Sequence, residues 1–406
     1  MSRPSRLVIV FACLGHFLHH ILTGLFLTLA VVLERVWERP YADIIALWTW
    51  GALMVGVGAP LAGWLADRFG HARVMVVFFL GSGIAAIFAG LVSGPSGMVF
   101  ALGAIGLFGA IYHPVGMAWV SMAAPLEIRG RVMGWLGISG SIGVALAAVI
   151  AGGLAALLGW RAAMILPGIA TLGAGIALGI AMAAGHVATT RAQVARENKP
   201  DVAPAERAPL GVLVVLAVTF SLGSIVYAAF GTALPKWLSE ALAFDATQSG
   251  RLGLVVGAAL LVGSVGQIIG GRLADRLPFK FLYVATFAIK LVPLAVAGVL
   301  GGPLAVLAAA IIGFTFDMSA PVENLLLARY SSGRRRGLAF GIKFAMGFAA
   351  APLGVNLVAW AYGDGAGGAV LLFGILAALT AVMLLAALLL PREVAPARRA
   401  VLAAAE

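Results

Sequence analysis

The sequence predicts an all-α membrane protein, with twelve transmembrane helices arranged as two pseudo-symmetric six-helix bundles. Three observations carry this. Of 406 residues, 62% are hydrophobic and only 11% are charged, whereas an ordinary soluble domain is about 45–50% apolar and about 25% charged. So few charges cannot cover a water-facing exterior, which excludes a soluble enzyme, a disordered chain and a nucleic-acid binder. Apolar runs of the length a bilayer requires, about 20 residues, recur twelve times along the chain. The second six of them also repeat the first six at a near-constant offset.

The first run, near 7–33, follows Met1-Ser-Arg-Pro-Ser-Arg6. It is longer than the short apolar core of a cleaved signal and reads as a retained span. Span 2 (42–66) stops at Asp67-Arg68, and spans 3 and 4 fall near 74–94 and 97–122. Span 5 (131–157) carries glycines at 134, 137, 140 and 143, a ridge suited to close helix packing. Span 6 (161–185) completes an N-terminal bundle over 1–185. Residues 186–208, with Arg191, Arg196, Glu197, Lys199, Asp201, Glu206 and Arg207, form the long polar stretch of the chain and read as a cytoplasmic linker. Spans 7 to 12 follow near 209–236, 247–273, 281–300, 303–328, 337–361 and 366–390. They make a C-terminal bundle over 209–391 with a cytoplasmic tail at 392–406.

The repeat is concrete. Gly63-Trp-Leu-Ala-Asp67-Arg68 after span 2 recurs as Gly271-Arg-Leu-Ala-Asp275-Arg276 after span 8, 208 residues on. Pro114 recurs as Pro321 and Gly130 as Gly337, each 207 residues on. Two parallel six-span repeats are one architecture of secondary transporters. The net charge of +11 resides in short clusters between the spans. Most Lys and Arg lie on the side of the termini and linker, and Arg35, Arg39, Arg161, Lys236 and Arg251 lie on the other. Basic loops stay inside, so both termini are expected in the cytoplasm. The single cysteine, Cys13, forbids an intrachain disulfide.

On these residues the chain resembles the major facilitator superfamily over essentially its whole length. Gly63, Asp67, Arg68 and Gly70 look like that superfamily's signature after span 2, and Gly159-Trp160-Arg161 and Arg129-Gly130-Arg131 also look typical. Locally, Gly106-Leu-Phe-Gly-Ala-Ile-Tyr-His113-Pro114 and His16 are similar to the fosmidomycin-resistance group of drug exporters. His20 stands where that group has an acidic residue, and Val115 follows His113-Pro114 in place of another. The resemblance implies a single central cavity lined by spans 1, 4, 7 and 10. It also implies gating by Gly63, Asp67, Arg68, Gly70, Arg129, Arg131, Gly271, Asp275 and Arg276, whose contacts would favour the outward-facing state. Physically, glycines at 63 and 271 permit close helix approach. Asp67 and Asp275 suit a helix N-terminus, and Arg68 and Arg276 can pair across the seam between halves.

Ionisable residues within spans are expensive and default to functional candidates. They are His16, His19, His20, His113, Lys290, Asp317, Glu323 and Lys343. At 1.5 Å per residue, His16 and His20 stand roughly 14 and 20 Å from the cytoplasmic start of span 1. His113 stands about 14 Å, and Asp317 about 17–20 Å, from the cytoplasmic ends of spans 4 and 10. The four can share one layer near the midplane. His16 and His20 lie one turn apart on one face, with His19 flanking them. Such imidazoles can carry a coupling proton, and a desolvated Asp317 can exchange one. The same His16, His20, His113 and Asp317 could instead bind a transition metal, or the histidines could only fix helix packing. Glu323 and Lys343, on adjacent spans at similar depth, are expected to pair, with Asn324 in their network. Tyr227 occupies the repeat position of His19 and is expected to present a hydroxyl to the cavity. Tyr112, Trp119, Phe230 and Phe316 are candidate apolar walls. Lys290, on a span expected to face outward, either reaches Asp317 or snorkels.

The expected function is proton-coupled alternating access that moves a small organic molecule, export favoured over import, in a bacterial inner membrane. The partners are then the substrate, protons and the lipid bilayer, with no nucleic acid. The chain is expected to act as a monomer, without a cofactor and without enzymatic activity. Uptake of an organic anion balanced by histidinium and Lys343 is the first alternative, and transport of a transition metal or metal chelate the second.

Overall fold

The computed structural model describes residues 3–125, 128–187, 209–331, 336–363 and 367–391. Most of the expected linker (186–208) and the whole tail (392–406) lie outside the described residues. The chain is helical throughout the spans: α1 (Arg3–Val36), α2 (Tyr41–Phe69, interrupted at Leu47), α3 (His71–Leu91), α4 (Pro95–Ala123), α5 (Arg129–Leu158) and α6 (Trp160–Ala183). The second set is α7 (Leu210–Ala241), α8 (Ser249–Ala274), α9 (Phe279–Ala297), α10 (Gly302–Tyr330), α11 (Arg336–Ala361) and α12 (Gly368–Leu388). Among the described residues eleven of these are long and apolar enough to cross a membrane. In α11 the apolar stretch is shorter, Ala345–Ala361.

The duplication read from sequence is visible in the packing. In the first half α1 packs on α5, α2 on α4 and α3 on α6. The second half pairs α7 with α11, α8 with α10 and α9 with α12, the same scheme six helices later. The halves meet along α5–α8 and α2–α11, again one relationship used twice. Lipid and helix interior are equally apolar, so close backbone approach supplies much of the attraction. At the seam a Cβ on Gly152 would overlap the Ser249 carbonyl, and one on Gly253 would overlap that of Ala148.

Those tight contacts sit away from the termini. There the Ser249 hydroxyl donates to Gly152 O at 3.3 Å, and the Tyr41 hydroxyl donates across the seam to Thr232 O at 3.2 Å. Lys236 Nζ of α7 meets Glu34 of α1 at 2.8 Å and Glu240 at 3.5 Å. Beside them Asp245 caps a short turn, and the Thr247 hydroxyl and amide, then the Arg35 charge, hold its carboxyl below the usual range. Deeper in, Thr49 donates to Asn356 at 3.5 Å and Ser141 to Gln267 at 3.3 Å. On the terminal side the arrangement changes. A Cβ at Gly63, Gly130, Gly134 or Gly271 would meet nothing within 4 Å. The face opposite the termini is therefore sealed, and the two halves part toward the terminal face.

The close helix approach expected at Gly63 and Gly271 belongs to the other state, since here a Cβ at either would meet nothing within 4 Å. Arg68 lies 5.7 Å from the Trp64 and Phe69 rings of its own helix rather than across the seam. Asp67 and Arg68 close α2, Asp275 follows α8, and Gly70 turns the chain into α3 with φ 92°, a left-handed value glycine tolerates. Pro278, at the repeat position of Gly70, instead leads into α9 with φ −59°. Arg129 donates to Ala124 O at 3.3 Å, holding the α4–α5 corner, and Arg131 is exposed.

Candidate functional site

A cavity of about 650 Å³ lies between the halves. One wall is a histidine cluster from α1 and α4. His16 and His20 share a face of α1, and their Nε2 atoms are 3.2 Å apart. His113 reaches them from α4 because that helix widens into a π turn at Tyr112–Gly116. Pro114 explains the widening, since it offers no N–H and its ring would clash with the carbonyl four residues back. The His113 ring centroid then stands 4.9 Å from His19, 5.4 Å from His16 and 5.6 Å from His20. Tyr112 stacks on His16 at 4.8 Å, and its hydroxyl donates to Ala12 O at 2.8 Å, so it backs the cluster rather than lining the cavity.

Geometry fixes the proton arrangement of the pair. A carbonyl only accepts, so the 2.7 Å contact of His16 Nδ1 with Leu136 O requires Nδ1–H on His16. A neutral His16 then offers a lone pair at Nε2, and His20 donates its Nε2–H to it. A proton arriving at His20 Nδ1 lets the shared Nε2 proton pass to His16 and reverses the direction of that bond, which makes the pair one two-position proton site. Nδ1 of His19 is buried without a hydrogen-bond partner among the described residues. The ligand atoms of His16, His20 and His113 also lie within 4.8 Å of one another, a spread that one transition-metal ion can bridge.

The glycine ridge of α5 turns out to seat this cluster. A Cβ on Gly140 would overlap the His16 imidazole, and one on Gly143 would press on Phe17 and His20. Gly140→Ala is therefore expected to displace His16 and cut transport by about ten- to a hundredfold, the usual reach of one overpacked methyl. Gly173→Ala, with open space around it on α6 away from the seam, leaves transport unchanged. Flux in proteoliposomes, compared with the yield of folded protein, checks both.

The opposite wall belongs to the second half. Asp317 of α10 lines it, with Oδ2 beside Gly263 of α8, and Tyr227 exposes 49% of its surface there. Tyr227 meets Phe316 edge to face at 5.4 Å, and Phe230 packs on the same ring at 5.8 Å. Glu323 and Lys343 form the expected ion pair at 3.2 Å, with Asn324 Oδ1 accepting from Lys343 at 2.8 Å. Lys343 is thereby neutralised, which weakens its expected part in balancing a free anion. Trp119 is buried away from the cavity, while Phe230 and Phe316 line it. Lys290 corrects the outward reading of span 9. It does not snorkel: it is 1% exposed and lines the cavity, with Nζ 3.6 Å from the Phe316 ring centre. An apolar helix surface gives no periodic signal of direction. The lysine itself, mid-span, was the available sign.

Comparison with known proteins agrees with this architecture. A curated relative, the probable sulfoacetate transporter SauU of Cupriavidus necator, is 28% identical over 232 residues. That match covers 53% of this chain and 52% of the relative, so the chain spans about half the length of the curated relative it matches. Two crystal structures of a bacterial homologue of the human lysosomal transporter Spinster, both inward-facing, one occupied and one unoccupied, match with a TM-score of 0.75 at 14% identity. The matches cover 96% and 95% of this chain and 96% and 98% of those chains. The family model of the major facilitator superfamily matches residues 12–321 and 216–405. With the duplicated six-helix halves, the shared pairing scheme and the cavity between them, that match establishes that the chain belongs to the major facilitator superfamily.

Proposed function

We propose that the chain moves a small organic molecule through this cavity in exchange for protons, by rocking of the two halves. As a member of this superfamily it is a transporter and not an enzyme. The observation that carries the coupling is the convergence of four imidazoles on one wall, faced by the Asp317 carboxylate on the other. Two titratable groups on opposite halves can be loaded and emptied by one rocking motion. The basic loops support a terminal face in the cytoplasm of a bacterial inner membrane, and on that reading the state described is inward-open. In the outward-open state Gly63, Asp67, Arg68 and Gly70 close against the second half, and Gly271, Asp275 and Arg276 against the first. Arg129 and Arg131 lie at the same face. The chain works as a monomer, and export follows from the local likeness to a drug-export group.

A second reading, uptake of an organic anion together with protons, takes support from the name of the curated relative, a probable sulfoacetate transporter. One experiment separates the two. Purified protein in liposomes holding a pH-sensitive dye is offered candidate organic compounds from outside. Internal acidification accompanying a compound means symport, and alkalinisation means exchange. Both require His16 and His113, so glutamine at either position abolishes the signal. Compound flux with no proton movement would overturn the coupling. Proton-independent flux of Zn²⁺ in place of any organic compound would move the histidines to the metal reading.

A further inference from the structure

We propose that the carried molecule bears a single anionic group, a carboxylate or sulfonate, and that Lys290 is the residue that holds it. The inference rests on reading the cavity as the substrate site. Among the described residues the formally charged side chains lining that cavity are Lys290, Lys343, Asp317 and Glu323. Lys343 and Glu323 cancel one another at 3.2 Å, and Asn324 takes a further N–H of the same ammonium.

Lys290 is differently placed. It stands about 17 Å along α9, near the membrane midplane, with its stem packed away. Among the described residues no carboxylate comes within 4.0 Å of its Nζ. Its close neighbours are ring faces, Phe316 at 3.6 Å and Phe287 at 5.4 Å from the ring centres. A ring face attracts an ammonium but cannot accept its three hydrogen bonds as oxygen does. An intramembrane ammonium is costly unless something compensates it. An anion arriving in the cavity supplies both the charge and the acceptors. Glu323 and then Asp317, the residue after Phe316, balance the charge at longer range while they are ionised. Once Asp317 takes the coupling proton, a bound monoanion restores neutrality. An anion held at Lys290 therefore travels with the proton, as in the second reading, rather than in exchange for it. A lysine also presents a point charge rather than a planar fork, so carboxylate and sulfonate fit equally. Phe316, Phe230 and Tyr227 then enclose a compact apolar body.

The test uses the full chain purified in detergent. Short aliphatic and aromatic carboxylates and sulfonates are each compared with the corresponding neutral amide or sulfonamide, by thermal shift and then by calorimetry. The expected result is stabilisation by anions and not by their neutral isosteres. Lys290→Met weakens the best anion by about 30-fold or more, as loss of one partner of a desolvated charge pair does. Lys290→Arg keeps most of the affinity, and Arg251→Gln, on the sealed face, keeps all of it. Because Lys290→Met leaves Asp317 uncompensated, the double variant Lys290→Met/Asp317→Asn removes both charges. It is expected to fold and still fail to bind. Equal binding of the neutral isosteres, unchanged anion binding in the folded double variant, or no anion binding at all would overturn the assignment. Proton-coupled transport of a neutral compound removes Lys290 as the anchor and leaves coupling intact. Anion binding through Lys290 without proton movement does the reverse.

Discussion

Asp317→Asn is expected to stop net, proton-driven transport while leaving exchange of substrate for substrate. Asparagine keeps the shape and the place beside Gly263 but cannot gain or lose a proton. Exchange needs only loaded rocking and no net proton, so it survives. Net flux falls by at least about a hundredfold, the scale of losing a positioned proton-transfer group. The prediction singles out Asp317 over Glu323 for a physical reason. Glu323 is held by Lys343 at 3.2 Å, and protonating it means breaking an intramembrane pair, whereas among the described residues Asp317 has no cation within 4.0 Å. Breaking the Glu323 pair by Glu323→Gln alone strands Lys343, at about 3–5 kcal/mol, and should read as lost protein rather than lost coupling. Parallel assays of net uptake and counterflow in the same vesicles decide. An Asp317→Asn protein that still drives protons would leave coupling to the histidines alone.

Opening of the sealed face is the second large effect. Lys236 of α7 lies between Glu34 of α1 at 2.8 Å and Glu240 at 3.5 Å, with side chains only 15% and 27% exposed for the first pair. Lys236→Glu would set three carboxylates together across the seam between halves. The loss of a half-buried pair plus new repulsion, about 1–3 kcal/mol, shifts the ratio of the state sealed at this face to the state open there by about ten- to a hundredfold. Distances between spin labels on the outer ends of α1 and α7 should lengthen. The swap Glu34→Lys/Lys236→Glu should restore the short distance, which separates a gate from a residue needed only for folding. An unchanged distance distribution in Lys236→Glu would show that the glycine seam at Gly152 and Gly253 alone holds that face shut.

Much of this was legible in the chain because membrane proteins confine polarity so severely. Helix positions follow from apolar runs, and the duplication follows from Gly63–Arg68 and Gly271–Arg276. The pairing of His16 with His20 needs only the helical period, and that of Glu323 with Lys343 needs only depth on neighbouring spans. What escaped depends on three-dimensional fit. Gly140 looked like generic packing, yet its missing side chain is the space the His16 ring occupies. The reach of His113 depends on a π turn that proline permits but does not by itself announce. Trp119 and Tyr112 are aromatic residues of a cavity helix that face away from the cavity. Lys290 lies on a helix whose apolar surface conceals which side faces the cavity. The state captured is not encoded in any one residue. It rests on a small difference between two seams, one closed at Glu34–Lys236 and one open at Gly63 and Gly271.

The most direct measurement imposes a pH gradient on proteoliposomes and reads the steady accumulation of the transported compound. One-for-one symport of a monoanion with a proton is electroneutral and predicts a gradient of compound that changes by about tenfold per pH unit, and that vanishes in His16→Gln and Asp317→Asn. Accumulation that ignores the imposed gradient, or follows it unchanged in both variants, would contradict proton coupling through this cavity.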